Sequence, residues 1–386
     1  MMTTPVFQVI LICTVSAAFV YYVLCIYCAA DFFSQARISS PQMLSPVSLM
    51  IPLCGAEPEA YENYASYCRQ DYPQYQIVFG VRDPVDPSLP IVRQLITDFP
   101  QVDICLIISS RTIGTNLKVS NLENMLAAVK HEYIVIVDSD IRVGTDYLRT
   151  IVPPLSDEGV GLVTCPYRSS QAVNWPTLLE SLWITTDFMP SVFVANKLEG
   201  MRYALGATMA LTRQRLSDIG GFPAMADHLA DDYILGHLIW KRGEEVRLLN
   251  YVVETSQPAV SFLSMLKHRV RFSRGTRACR PWGHLGLVLT YGTVLCLLNS
   301  IVAHASPISL VLLGIGLGLR FASAWLIGVH WLDDRILRRH FWLLPISDLL
   351  TFFVWILSYA GKKVEWRGEL FELDSDGRLA HRREND

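Results

Sequence analysis

The chain has 386 residues, enough for one large domain or two ordinary ones. Its hydrophobic content of 51% is high for a soluble protein, and only 18% of residues are charged. The net charge of -3 gives no electrostatic case for a nucleic-acid partner, and the 9 cysteines follow no metal or disulfide spacing, which fits a reduced, cytosol-facing catalytic region.

Taken in order, the chain opens on an apolar run from Val6 to Ala30, long enough at about 20 residues to span a bilayer. It lacks a basic leader and a small-x-small cleavage site, so it reads as an anchor, and Arg37 places the next segment in the cytoplasm. From Val47 to Gln257 strand-like and helix-like patterns alternate, which predicts an α/β domain with a mostly parallel sheet. The predicted strands are Val47–Pro52, Gln76–Val81, Asp103–Ser109, Tyr133–Val137 and Val160–Cys165; the predicted helices are Tyr61–Arg69, Leu89–Phe99 and Asn121–Val129. Thr177–Leu198 is apolar and aromatic, and reads equally as a helix along the membrane surface or a buried core helix. A basic helix runs from Ser261 to Arg280. Leu285–Ala303 and Pro307–Leu332 are further spanning candidates, separated by His304-Ala305-Ser306. Phe341–Ala360 contains Pro345 and Asp348 and has Arg335, Arg338 and Arg339 before it and Lys362, Lys363 and Arg367 after it, so it reads as interfacial or re-entrant. The expected division is 1–35 anchor, 45–260 catalytic domain, 261–283 interfacial helix, 284–361 apolar helices and 362–386 cytosolic tail.

Polar residues at strand ends and helix starts carry the chemistry. Asp138 and Asp140, two hard oxygen ligands directly after an apolar β-branched run, suit Mg²⁺ or Mn²⁺ shared with a substrate phosphate; an acidic turn fits the same residues. Asp83, with Asp86 three residues on, suits the N3–H of a uracil ring, or simply a proline-flanked turn. Lys118 and Asn121 near a helix start suit a diphosphate or donor sugar, or else a solvent lysine and a helix-capping asparagine. Asp231 and Asp232 begin a helix, where the dipole favours acids; one carboxylate crowded by another also gains the basicity of a general base. Arg271 suits a leaving diphosphate, although Arg269, Arg274, Arg277 and Arg280 beside it fit contacts to anionic lipid. Arg320, near the middle of an apolar segment, is expensive unless it faces a partner.

Asp83, Asp138-Ser139-Asp140, Asp231-Asp232 and His268-x-x-Arg271-Phe272 together resemble the D, DxD, (E/D)D, QxxRW order of inverting family 2 and 21 glycosyltransferases. The resemblance to ceramide glucosyltransferases covers nearly the whole chain, down to Glu365-Trp366-Arg367-Gly368. Within that group, Val78 to Pro84, Gly114-Thr115-Asn116, Lys118 to Leu122, Asp138 to Val143 and His228 to Tyr233 are most similar to the bacterial hopanoid-biosynthesis branch. The resemblance implies a GT-A fold with terminal transmembrane helices in the bacterial inner membrane, the catalytic domain facing the cytoplasm. It implies a UDP-sugar donor, a membrane-lipid acceptor (hopanoid or ceramide) and Mg²⁺ or Mn²⁺. It also implies roles: Asp83 or Asp86 on uridine, with Pro52 to Glu57 in the same pocket; Asp138 and Asp140 on the metal; Asp232 as base, supported by Asp231; Arg271 on the departing UDP. His268 stands where the motif has Gln and Phe272 where it has Trp, which removes an indole N–H. The preferred reaction is transfer of N-acetylglucosamine to bacteriohopanetetrol, with ceramide glucosylation as the close rival. A processive polysaccharide synthase is disfavoured by the few spans available for a channel and by the missing Trp.

Overall fold

The computed structural model describes residues 3–35, 44–57, 59–366 and 369–381; Arg37, Pro58, Arg367 and Gly368 lie outside them. The chain forms two compact units, each discontinuous in sequence. One contains Gln35–Ser170, Leu198–Pro258 and Arg378–Asp386; the other contains Met1–Ser34, Gln171–Lys197 and Ala259–Gly377.

The first unit is built on a seven-stranded sheet. Its strands are β1 (Val47–Pro52), β2 (Tyr75–Val81), β3 (Asp103–Ile108), β4 (Tyr133–Ile136), β5 (Val160–Thr164), β6 (Met209–Thr212) and β7 (Glu245–Leu248). Their spatial order is β3-β2-β1-β4-β6-β5-β7. Neighbours are parallel except where β6 runs antiparallel between β4 and β5. β1 and β5 are buried at every position, which is why they read as unbroken apolar runs without alternation. Leu49, Ile51, Phe79 and Val135 pack with Tyr64, Tyr67 and Tyr147 in one core. The expected helices appear at Ala60–Cys68, Leu89–Asp98 and Leu117–Leu126. The last begins four residues before its predicted start, because Asn116 and not Asn121 is the cap: its side chain accepts from the N–H groups of Lys118 and Val119. β6 and β7, four residues each, carry too short a pattern to be read in sequence. A smaller sheet places Val253–Thr255 antiparallel to Ile141–Arg142 and parallel to Tyr167–Ser169, which brings Thr255 beside Asp140.

The second unit is mostly helical. Thr177–Leu198 is a nearly continuous helix, Trp175–Trp183 and Met189–Glu199 joined through a wider π-type turn at Ile184–Phe188, with Leu182 and Phe193 buried. Among the described residues, three helices are long and apolar enough to cross a membrane: Gln8–Ser34, Pro307–Trp331 and Arg335–Tyr359. Leu285–Ala303, expected as a single span, is a bent pair: Pro281–Thr290 and Gly292–Val302 meet at 58°. Phe341–Ala360, expected to be interfacial or re-entrant, is covered up to Tyr359 by Arg335–Tyr359, which meets the length and hydropathy requirement for crossing. Arg320 finds the partners that its depth demands. Its guanidinium donates to Asp348 Oδ1 at 2.6 Å, Asp187 Oδ2 at 3.0 Å and the Thr186 carbonyl at 2.6 Å.

Candidate active site

The carboxyl ends of β1, β2 and β4 converge with the start of the Asp231–Lys241 helix, and four of the expected side chains meet there. Lys118, on the first turn of Leu117–Leu126, places Nζ 2.7 Å from Asp138 Oδ1 and 3.0 Å from Asp231 Oδ2. Burial alone would lower this lysine, but Asp138, Asp231 and Asp232 hold it above its usual value, so it is charged. Asp232 Oδ2 accepts the Gly206 N–H at 3.0 Å and Oδ1 the Tyr233 N–H at 2.7 Å. Gly206 is the hinge of the arrangement. A Cβ there would lie 2.8 Å from Asp138 Oδ2 and 3.3 Å from Asp232 Oδ2, so a larger residue would push these carboxylates from their places. Burial, then the charge of Asp231, raises Asp232 to about 6, while Lys118 opposes the rise.

Asp140 accepts the Thr255 hydroxyl at 2.7 Å, and burial followed by Asp138 raises it to about 6. Glu57 is raised to about 7 by burial and by Asp140. Its Oε2 is buried with no hydrogen-bond partner among the described residues. Also among the described residues, no three His, Cys, Asp or Glu side chains form a closed metal cage. The donor set does fit a divalent cation that completes its shell with phosphate and water: all oxygen, two carboxylates two residues apart, and an orphaned buried carboxylate alongside. Burial first, and a neighbouring carboxylate second, raise these two acids, and such an ion would offset both.

The other expected residues are placed differently. Asp83 is exposed, its Oδ1 accepting the Val85 N–H in a tight turn. Asp86 is buried and structural: Oδ2 accepts the Gly55 N–H at 2.9 Å, and Oδ1 accepts from the backbone and hydroxyl of Ser88. It thereby fixes the loop between Pro52, the last residue of β1, and Glu57. Asn121 is buried and donates to the Gly80 carbonyl at 2.7 Å, tying helix to strand. His268, Arg271 and Phe272 belong to the helical unit, on Phe262–Cys279. His268 Nδ1 lies 3.0 Å from Glu180 Oε1. Phe272 packs edge-on against Trp183 and Phe188, so the missing indole is replaced by an aromatic cluster. Arg271 lines a cavity of 260 Å³ with Leu266, Lys267, Arg274, Leu357 and Val364.

Gly206 and Thr255 were not singled out by the sequence and carry no local signal, and Asp227 stood at the head of the acidic stretch without a role of its own. Asp227 Oδ1 accepts the backbone N–H of Thr115 at 2.9 Å and its hydroxyl at 3.1 Å. Asn116 donates to the His228 carbonyl at 2.8 Å. Gly114 passes so close to Ala226 that a Cβ would sit 2.6 Å from the Ala226 carbonyl oxygen. These contacts clamp the loop of Lys118 to the loop of Asp231 and Asp232. Asn116 had a readable signature, a helix-capping residue directly before the helix.

The model of glycosyl transferase family 21 matches residues 9–379. Ceramide glucosyltransferase 3 of Caenorhabditis elegans is 22% identical over 399 residues, covering 96% of this chain and 82% of that protein. The Candida albicans ceramide glucosyltransferase is 33% identical over 139 residues, 33% of this chain and 26% of that one. A mannosyltransferase from Pyrobaculum calidifontis, solved with GDP-Man and Mn²⁺, shares the fold with a TM-score of 0.56 at 18% identity, over 91% of this chain and 98% of that one. The fold is thus of the GT-A type, and with a family match running through both units the chain belongs to glycosyl transferase family 21 and is a glycosyltransferase.

Proposed function

We propose that the protein transfers a hexosyl group from a UDP-sugar to a hydroxyl of a membrane lipid, with inversion at the anomeric carbon. The observation that carries this reading is the cluster in which Lys118 bridges Asp138 and Asp231 while Gly206 holds Asp138 and Asp232 side by side. A donor-side acid and an acid raised to about 6 thus share one cleft, which is what an in-line displacement needs. Asp138 and Asp140 would hold Mg²⁺ or Mn²⁺, which supplies charge neutralisation to the leaving diphosphate. Asp232 takes the proton of the acceptor hydroxyl; the oxygen forms its bond to C1 as the C1–O bond to phosphate breaks, and the electron pair leaves with UDP. Asp231 and Lys118 hold Asp232 in register, Asp83 contacts the uracil, and Arg271 meets the diphosphate as it departs. The apolar helices retain the lipid acceptor, and the enzyme works in the bacterial inner membrane with its sheet domain in the cytoplasm.

The preferred pair is N-acetylglucosamine and bacteriohopanetetrol, supported by the similarity of the Lys118–Leu122 and His228–Tyr233 stretches to the hopanoid branch. Ceramide glucosylation is the second reading, favoured by the names of the C. elegans and C. albicans relatives. Transfer assays with both lipids and both UDP-sugars separate the two. Asp232→Asn tests the mechanism: transfer is expected to fall by about 10²-fold or more while UDP-sugar binding persists. Normal turnover in that variant rules out Asp232 as the base.

A further inference from the structure

The helical unit holds two buried arginines, and they differ in one respect. Each guanidinium nitrogen of Arg320 has a hydrogen-bond partner. Arg269, on Phe262–Cys279 and 2% exposed, has one: Nη2 donates to Thr351 Oγ1 at 2.8 Å. Its Nε and Nη1 are buried and have no hydrogen-bond partner among the described residues. Trp183 covers the guanidinium, its ring centroid 4.9 Å away. Glu180, also buried, has Oε1 engaged with His268, while Oε2 stands 4.0 Å from Arg269 Nε and is likewise unpartnered. Charge is balanced in this pair, but hydrogen bonding is not. Each open buried group costs stability, a cost that the Arg320 network avoids. Thr351 lies within Arg335–Tyr359, so this open edge sits against a helix apolar enough for a bilayer. Ionisable groups in such surroundings mark ligand sites when they face something polar.

We propose that Arg269 and Glu180 form the site that holds the polar head of the lipid acceptor, and that this head is uncharged and carries a hydroxyl. The inference rests on the lipid-acceptor reading above and adds where the acceptor binds and of what class it is. A hydroxyl accepts from Arg269 and donates to Glu180 through a single oxygen, as a water would. With Nε and Oε2 4.0 Å apart, an oxygen about 2.8–3.0 Å from both closes the triangle. A phosphate would meet Glu180 in repulsion and an ammonium would meet Arg269, so both are excluded by the pair itself. The Trp183 face gives the carbon skeleton of the head an apolar wall.

The test uses the full chain in nanodiscs, with bacteriohopanetetrol and ceramide as acceptors. In Glu180→Leu/Arg269→Met both charges are removed together, which avoids a stranded buried ion and preserves folding. The expected result is an acceptor KM raised about tenfold or more with the donor KM unchanged, partly restored in Arg269→Lys. An unchanged acceptor KM, with or without a lower Tm, overturns the proposal, since a buried water filling the gap would give that result. Wild-type transfer to water-soluble alcohols but to neither lipid overturns the lipid-acceptor reading itself, a failure distinct from the first.

Discussion

Glu57, Asp140 and Asp232 stand above the ordinary carboxylate range, at about 7, about 6 and about 6, and burial is the first cause in each. Unfolded, they titrate near 4.5, 3.8 and 3.8. Between those values the native chain binds more protons than the unfolded one, so these groups make stability fall as pH rises from about 4 to about 7. A cation bound at Asp138 and Asp140 takes the place of the protons. Mn²⁺ is therefore expected to raise Tm more at about pH 8 than at about pH 5. Equal shifts at both pH values would remove the carboxylate cluster as the metal site. The transfer rate should rise with pH through about 6 as Asp232 loses its proton, then level off. Lys118 was expected on the donor; its ammonium pairs with Asp138 and Asp231. Spacing placed it near a helix start but could not name its partners, which come from 20 and 113 residues further along the chain.

The loops that carry these residues hold each other through Gly114-Thr115-Asn116 and Ala226-Asp227-His228. The backbone N–H of Leu379 also donates to the Asp227 carbonyl at 2.7 Å, so a segment from the far end of the chain straps the acid loop. Asn116 does two jobs, accepting from the first turn of its helix and donating to His228. Asn116→Ala should lose about 1 kcal/mol from the cap and lower Tm by about 2–4 °C, with a larger fall in kcat than in donor affinity. Asn116→Asp keeps the cap but not the donor; it should regain Tm and not kcat, as read by thermal melting beside a transfer assay. Recovery of both would leave the loop contact without consequence. Where sequence was informative, the feature was local: the apolar run into Asp138, the paired acids at a helix start, the strands of the parallel half-sheet. Gly206 and Thr255 were silent because their meaning lies in which distant side chain approaches them. The bend between Pro281–Thr290 and Gly292–Val302 was silent because an apolar composition does not encode the angle at which two short helices meet.

At the scale of the molecule, the chain leaves the helical unit at Ser34, Lys197 and Gly377, and returns to it at Gln171 and Ala259. If the protein works in a membrane as proposed, with its sheet domain on one side of the bilayer, everything between Ala259 and Gly377 starts and finishes on that side. The number of crossings in that stretch is even, yet it holds three candidates: the bent pair, Pro307–Trp331 and Arg335–Tyr359. They cannot all cross. Trp331 stacks on Phe33 with centroids 6.2 Å apart and planes 7° from parallel, so Pro307–Trp331 ends level with the exit of the first helix. The proposed topology therefore has the bent pair make the outward pass and Arg335–Tyr359, despite its hydropathy, begin and end on the catalytic side, which is the prediction to test. An epitope inserted at Ala305 should be reached by antibody only from the face opposite the sheet domain, and one at Asp333 only from the same face. Access to Asp333 from the opposite face would reverse the assignment. Odd and even would thus separate what apolar length alone leaves equal: two of the three segments are expected to traverse the lipid, and the last, which carries the Thr351 partner of Arg269, to lie against it as a shelf.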